Sequence, residues 1–401
     1  MASRTVLPVL LLQIWLLLTG VSQISAIQCD VKDYGAKGDG KSNDTDAFIK
    51  AFQACTEKGE PSMVYVPSGS YSLWPLVFEK TECMDLFFNV TGELVAPSNP
   101  ADYRWVRNES FLLFKECENL TIHGWGLGSV DGRGQEWWEM YEKLERPKLL
   151  ILDDSKKVSV KDIHLMNSPM FHIVPENSED VLIENVLITA PSNSPNTDGI
   201  DPSGSRHVVI RNCTIGTGDD NVAVKPGCQD VLVENCLFQS GHGCSIGSIE
   251  STGVRDVVMR NISFVGTENG ARIKTWQGGS GLVENISYIN LKMSNVGLPI
   301  KINMFYCPDG GCHNQTKGVT IKDILFSGIE GTQSGGVAGQ LYCSDTVPCT
   351  HIKMENIDIQ SVSTGELWGS GNRFECWRAF GEASNVNPPS CLIPDKLLNY
   401  D

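Results

Sequence analysis

A strand-like phrase ending in Asn or Asp returns along this chain at a nearly constant interval. It reads Val181-Leu182-Ile183-Glu184-Asn185, then Val208-Val209-Ile210-Arg211-Asn212, then Val231-Leu232-Val233-Glu234-Asn235, with further copies ending at Asn261 and Asn285 and weaker ones at 158–163, 319–324 and 352–357. From Asp162 to Asn285 the steps are 23, 27, 23, 26 and 24 residues. Such a period, built on alternating β-branched residues with Gly and Asn between, predicts a solenoid of stacked coils. The Leu-x-x-Leu-x-Leu spacing of leucine-rich repeats is absent. A parallel β-helix fits, because each strand then pairs with the coil above and the coil below.

Stacking brings distant residues together. Neighbouring strands lie roughly 4.8 Å apart, so residues of equal phase become neighbours. Aligned on their Asn endings, four short clusters fall on adjacent coils: Asn196-Thr197-Asp198, Gly218-Asp219-Asp220, Gly241-His242-Gly243 and Arg272-Ile273-Lys274. Asp198 lands level with Asn221, one residue from Asp220, and the His242 cluster matches the Asp219-Asp220 cluster in offset. Three carboxylates and an imidazole are therefore expected on one face within about two coil rises, roughly 10 Å. Turn chemistry explains Asp, Asn and Gly in each cluster singly, but not their shared phase.

Residues 1–26, with Arg4, an apolar run over Val6–Leu18 and small residues up to Ala26, have the pattern of a secretory signal peptide, leaving 27–401 as a single domain. That run is too short and too interrupted for a membrane span, and no later stretch is long enough to cross a bilayer. A net charge of -16 argues against nucleic acid as a partner. Fourteen Cys beyond residue 26 and eight Asn-x-Ser/Thr sites agree with an oxidising, extracellular route. Close pairs stand at Cys307/Cys312, Cys343/Cys349 and Cys376/Cys391, while Cys29, Cys55, Cys83 and Cys117 are placed to staple the N-terminal end. Cys213 and Cys236 share a phase, as a thiol stack or a disulfide. The Asn positions of the repeat that lie in glycan sites fit an internal Asn ladder as well as a glycan. Apolar spacing at Ala47, Phe48, Ala51, Phe52 and Cys55 predicts a short helix capping the solenoid. The Trp137-Trp138 segment reads as packing, and the Gly-, Asn- and Pro-rich tail from Ser361 as a cap on the last coil.

The four clusters, in this order and spacing, resemble the polygalacturonases, pectin-cleaving glycoside hydrolases built on a right-handed parallel β-helix. The resemblance spans roughly Val31 to Cys391, and Val31–Gly40 with the C-terminal Cys spacings looks like the plant-type branch. It implies that Asp219 is the general acid, that Asp198 and Asp220 hold and activate the attacking water, and that His242 tunes the acid or contacts the sugar. It also implies that Arg272 and Lys274 grip a substrate carboxylate, with Tyr306 contacting substrate and Asn196 shaping the cleft. Three positions depart from the family pattern. Asn221 and Phe238 replace both members of a customary disulfide, and Asp201 stands where the plant branch often has His.

Hydrolysis of a glycosidic bond needs one carboxyl protonated and another ionised at one pH. Crowded carboxylates achieve this, since like charges at short range push one member above the ordinary ~3.9. The resemblance implies inversion, for which carboxyl separations of roughly 6.5–9.5 Å are expected. No metal or cofactor is required, although three Asp together could hold Ca²⁺. The implied partner is an anionic polysaccharide, and the protein is expected to act as a secreted monomer. Because chain and substrate are both acidic, affinity must come from local cations, not long-range attraction. Competing readings are a rhamnogalacturonan or xylogalacturonan hydrolase, a Ca²⁺-dependent pectate lyase, and a non-catalytic wall-binding solenoid.

Overall fold

The structure, a computed structural model, describes residues 27–105, 110–140, 142–308, 310–362 and 372–398. The expected signal segment 1–26 lies outside the described residues. From Ile27 onward the chain winds as a right-handed parallel β-helix in which every strand pairing is parallel. One coil shows the plan. Arg206–Arg211 is followed by a sharp corner at Asn212, then Thr214–Gly216, a wider turn, Val222–Val224, and the next coil at Gln229–Glu234. Val208 stacks on Val231 and Ile210 on Val233, and all four are buried.

The recurrent Asn has a backbone reason. Asn185, Asn212, Asn235, Asn261 and Asn285 all adopt φ of 55°, the left-handed region that Asn tolerates better than most side chains. That residue bends the chain between two strands and ends the apolar alternation. The side chains form an external stack: Asn185 Nδ2 donates to Asp162 at 3.0 Å and Asn261 Nδ2 to Asn235 at 3.2 Å. The internal ladder that the spacing also allowed is therefore not formed, since these five Asn are exposed.

The predicted N-terminal helix covers Thr45–Thr56 and buries Ala47, Phe48, Ala51, Phe52 and Cys55. Phe52 stacks on Phe78 at 3.6 Å, and Cys55 is bonded to Cys29 of the first strand. The remaining disulfides are Cys83–Cys117, Cys307–Cys312, Cys343–Cys349 and Cys376–Cys391. Cys213 and Cys236 are free, buried thiols. Trp137 packs edge-on against Tyr103. The tail departs from expectation: Phe374–Trp377 and Ala379–Asn387 pair in parallel with the preceding strands and so extend the solenoid beyond a mere cap.

Candidate active site

The wider turn of each coil, with the strand that follows it, carries the chemistry. Asp219 and Asp220 follow Thr214–Gly216, His242 follows Leu237–Gln239, and Arg272 and Lys274 lie within strand Asn269–Trp276. Register aligns Ala223 with Ser245, Ser245 with Arg272, and Arg272 with Lys301. Asp201 enters the same column through the bridge between Ile200 and Val222. Residues separated by 20 to 30 places in sequence thus form one outward wall.

Two arrangements share that wall. In the first, His242 Nδ1 lies 2.8 Å from Asp219 Oδ1, and its Nε2 lies 3.2 Å from Glu268 Oε2. The turn brings them together because His242 N–H also donates to the Asp219 carbonyl at 2.9 Å. Glycines make this approach possible. Gly241 and Gly243 hold φ of 82° and 86°, and a Cβ on Gly241 would fall 2.5 Å from Asp219 O. Burial alone would raise the Asp219 carboxyl, but the hydrogen bond and charge of His242, with Lys274 nearby, hold it down at about 2. His242 moves the opposite way. Burial opposes its charge, yet Asp219 and Glu268 lift it above the ordinary 6.5.

In the second arrangement, Lys225 Nζ sits 3.0 Å from Asp201 Oδ2 and 3.4 Å from Asp198 Oδ2. Both acids are almost wholly buried. As two carboxylates they would leave Asp198 Oδ1 and both Asp201 oxygens without a well-aligned donor, despite the short Lys225 approach. Burial, with Asp201 beside it, raises Asp198 well above the ordinary range. Burial also raises Asp201, against the pull of Lys225. Lys225 itself is lifted by Asp201 and Asp198 despite its burial. His172, neutral because burial lowers it to about 4, braces the turn from below, its Nδ1 3.0 Å from Asp198 O.

Asp220 joins the two. It accepts from Lys274 Nζ at 2.6 Å, Arg272 Nη1 at 3.4 Å and Ser245 Oγ at 2.8 Å, and is fully buried. Asn196 donates to Asp219 Oδ2 at 3.3 Å and is itself held by Arg146 at 2.6 Å. The Tyr306 ring lies 5.3 Å from Lys274 Nζ and 5.8 Å from Arg272 Cζ. Every expected site residue is therefore gathered here. Asp219, Asp220 and His242 offer ligand atoms within 4.8 Å of one another. A divalent ion there would meet the positive charges already resting on Asp220, so the trio is a poor cation site.

Two sequence expectations change in detail. The surroundings push the Asp219 carboxyl down beside His242 and the Asp198 carboxyl up beside Asp201. Arg272 and Lys274, expected on a substrate carboxylate, are engaged with Asp220. The lost disulfide is replaced by hydrogen bonds: buried Asn221 donates to Ile215 O and Ser240 O, both at 3.1 Å, and accepts from Gly243 N at 3.0 Å. Phe238 packs edge-on against Phe264. Glu268, Lys225, Arg146 and His172 escaped the sequence reading. Lys225 could have been found by carrying the alignment past Asp220, and Glu268 by carrying it one coil beyond His242, since each of that pair stands seven places after its Asn ending.

Residues 55–374 match the family described as Glycosyl hydrolases family 28. A polygalacturonase of Chamaecyparis obtusa is 39% identical over 349 residues, covering 83% of this chain and 67% of that protein. Among solved structures, an exopolygalacturonase of Thermotoga maritima superposes with a TM-score of 0.77 at 24% identity, covering 91% of this chain and 92% of that one. An endo-xylogalacturonan hydrolase of Aspergillus tubingensis gives 0.76 at 23% identity, covering 89% and 100%. At those identities both establish the fold alone.

Proposed function

The chain belongs to glycosyl hydrolases family 28, and from that premise we propose that it hydrolyses α-1,4-galacturonosidic linkages of polygalacturonate with inversion. The observation that carries this reading is the Asp219–His242 pair at 2.8 Å, one coil from the buried Asp198–Asp201 pair. In the proposed step Asp219 protonates the leaving oxygen, while water held by Asp198 and Asp220 attacks the opposite face and gives up its proton to the Asp220 carboxylate. The proton reaches Asp219 from His242. A bound sugar chain displaces water and disfavours the ion pair, so the neutral pair of carboxylic acid and imidazole gains ground. Asn196 steers Asp219, and Tyr306 covers the floor formed by Arg272 and Lys274. Secretion, cleavage of a 1–26 leader and action as a single-domain monomer belong to the same reading. Five disulfides support the extracellular part of it.

A second assignment has its own observation in favour. The upward push on the buried Asp198 carboxyl would let it serve as the acid and Asp219 as the base. An aryl galacturonide whose leaving group needs no protonation separates the two, since it restores turnover only to the variant that lacks the acid. Rescue of Asp219→Asn, and not Asp198→Asn, supports the first assignment. For the activity itself, reducing ends should appear from polygalacturonate and not from rhamnogalacturonan or xylogalacturonan, without ultraviolet-absorbing products. Binding without release of reducing ends would favour the non-catalytic solenoid.

A further inference from the structure

Resting on the polyuronate reading, we infer that Lys301 anchors the carboxylate of the sugar unit one coil beyond Arg272, and that it sets the preference there for free acid over methyl ester. The two cations beside it in the wall are already spent, Lys274 Nζ on Asp220 at 2.6 Å and Arg272 on the same carboxylate at 3.4 Å. Lys301 is the register partner of Arg272 on the following strand, Leu298–Tyr306. It continues the outward column by one ladder step of roughly 4.8 Å. Among the described residues, no carboxylate or hydrogen-bond acceptor pairs with its ammonium. Glu268, on its flank, is taken up by His242 and Asn269, and Gln340, the next residue in the column, donates to Glu375.

A half-buried, unpaired ammonium beside two like charges costs stability unless an anion arrives. Burial, together with Arg272 and Lys274, holds Lys301 below the ordinary lysine value. A carboxylate placed there relieves that repulsion and gains a charge-assisted hydrogen bond, whereas a methyl ester does neither. Each unit of a polyuronate carries one such carboxylate, so a chain laid along the coils presents one at each step.

The test replaces Lys301 in the full-length protein with Met, which keeps the aliphatic stem, and with Arg, which keeps the charge. On unesterified polygalacturonate, Lys301→Met should raise KM about tenfold, the size of one lost charge-assisted hydrogen bond. Its kcat should change far less, its KM on highly methyl-esterified pectin should barely move, and Lys301→Arg should restore most of the loss. In a second arm, calorimetry follows tri-galacturonate binding to Asp219→Asn protein with and without Lys301→Met. Equal affinities there, or an unchanged KM ratio between acid and ester, overturn the assignment. Lys301-dependent binding by a wild-type protein that releases no reducing ends would instead refute the hydrolase reading and leave the anchor standing.

Discussion

Asp198 and Asp219 are the same residue type, on neighbouring coils of one wall, yet their surroundings drive their protons in opposite directions. Asp219 faces an imidazole and keeps some solvent, so its carboxylate is stabilised. Asp198 is walled in beside a second acid, with one ammonium serving both, so its carboxyl is pushed well above the ordinary range. Neither acid is special by itself. The difference lies in their neighbours: His242 on the next coil for Asp219, and for Asp198 the nearby Asp201 of its own coil with Lys225 of the next. A pair of carboxyls split in this way is what acid–base cleavage requires.

The largest effect expected from breaking the comparison comes at Asp219. Asp219→Asn should lower turnover by roughly 10³-fold while sugar binding persists. Reducing-end release alongside calorimetric binding measures this, and retention of most activity would remove Asp219 from the acid role. Next is Lys225. Lys225→Met leaves two buried acids with no cation and should cost about 3 kcal/mol of stability, read from denaturant unfolding. Adding Asp201→Asn should recover part of that loss. If it recovers none, Lys225 acts by filling space and not by charge.

The pH dependence of stability sharpens the contrast. Asp198 is raised, so its contribution is full below the ordinary 3.8 and is lost as pH climbs through its folded value. Asp219 is depressed, so its contribution is present above 3.8 and is lost as pH falls through about 2. Asp198→Asn should therefore raise the melting temperature more at about pH 7 than at about pH 4. Asp219→Asn should lower it at the higher pH. Parallel profiles for the two variants would mean that the environments do not differ as described.

Much of this contrast was legible in the sequence because a coil period converts spacing into proximity. Val208 and Val231 alternate inward in step, and the Asn endings mark where each coil bends, so Asp198, Asp219, Asp220 and His242 could be assigned one face. The orientation of a side chain across the wall was not legible. Whether Lys274 reaches outward to a ligand or sideways to Asp220 depends on rotamer and loop length, neither of which has a period. Lys225 and Glu268 lie beyond the conspicuous Gly-Asp and Gly-His words, so no motif singled them out. The tail misled for a related reason: its Gly, Asn and Pro content suggests loops, yet Phe374–Trp377 still pairs in register with Gly339–Tyr342.

His242 is the hinge of the Asp219 side, and removing it should cost less than removing the acid. His242→Gln should lower kcat/KM by roughly 10²-fold, the lower range for a proton-transfer partner. The sign of the pH effect follows from its raised value: activity that needs the imidazolium is present at low pH and fades as pH rises through that value. In the variant this alkaline limb should vanish. A limb that survives unchanged would belong to another group.

Glu268→Gln should have the smallest effect and bears on the same limb. Glu268 is 58% exposed in its side chain and touches His242 from the side opposite Asp219. An exposed ion pair is worth little, so activity on the acid plateau should stay within about twofold of wild type. His242 would lose one of the carboxylates that lift it and keep the closer one. Its value should fall, and the alkaline limb of the kcat/KM profile should move down with it. A limb that stays in place would show that solvent screens Glu268 and that Asp219 alone sets the imidazole. A limb that disappears would make Glu268 the titrating partner and reverse the order of the two acids around His242.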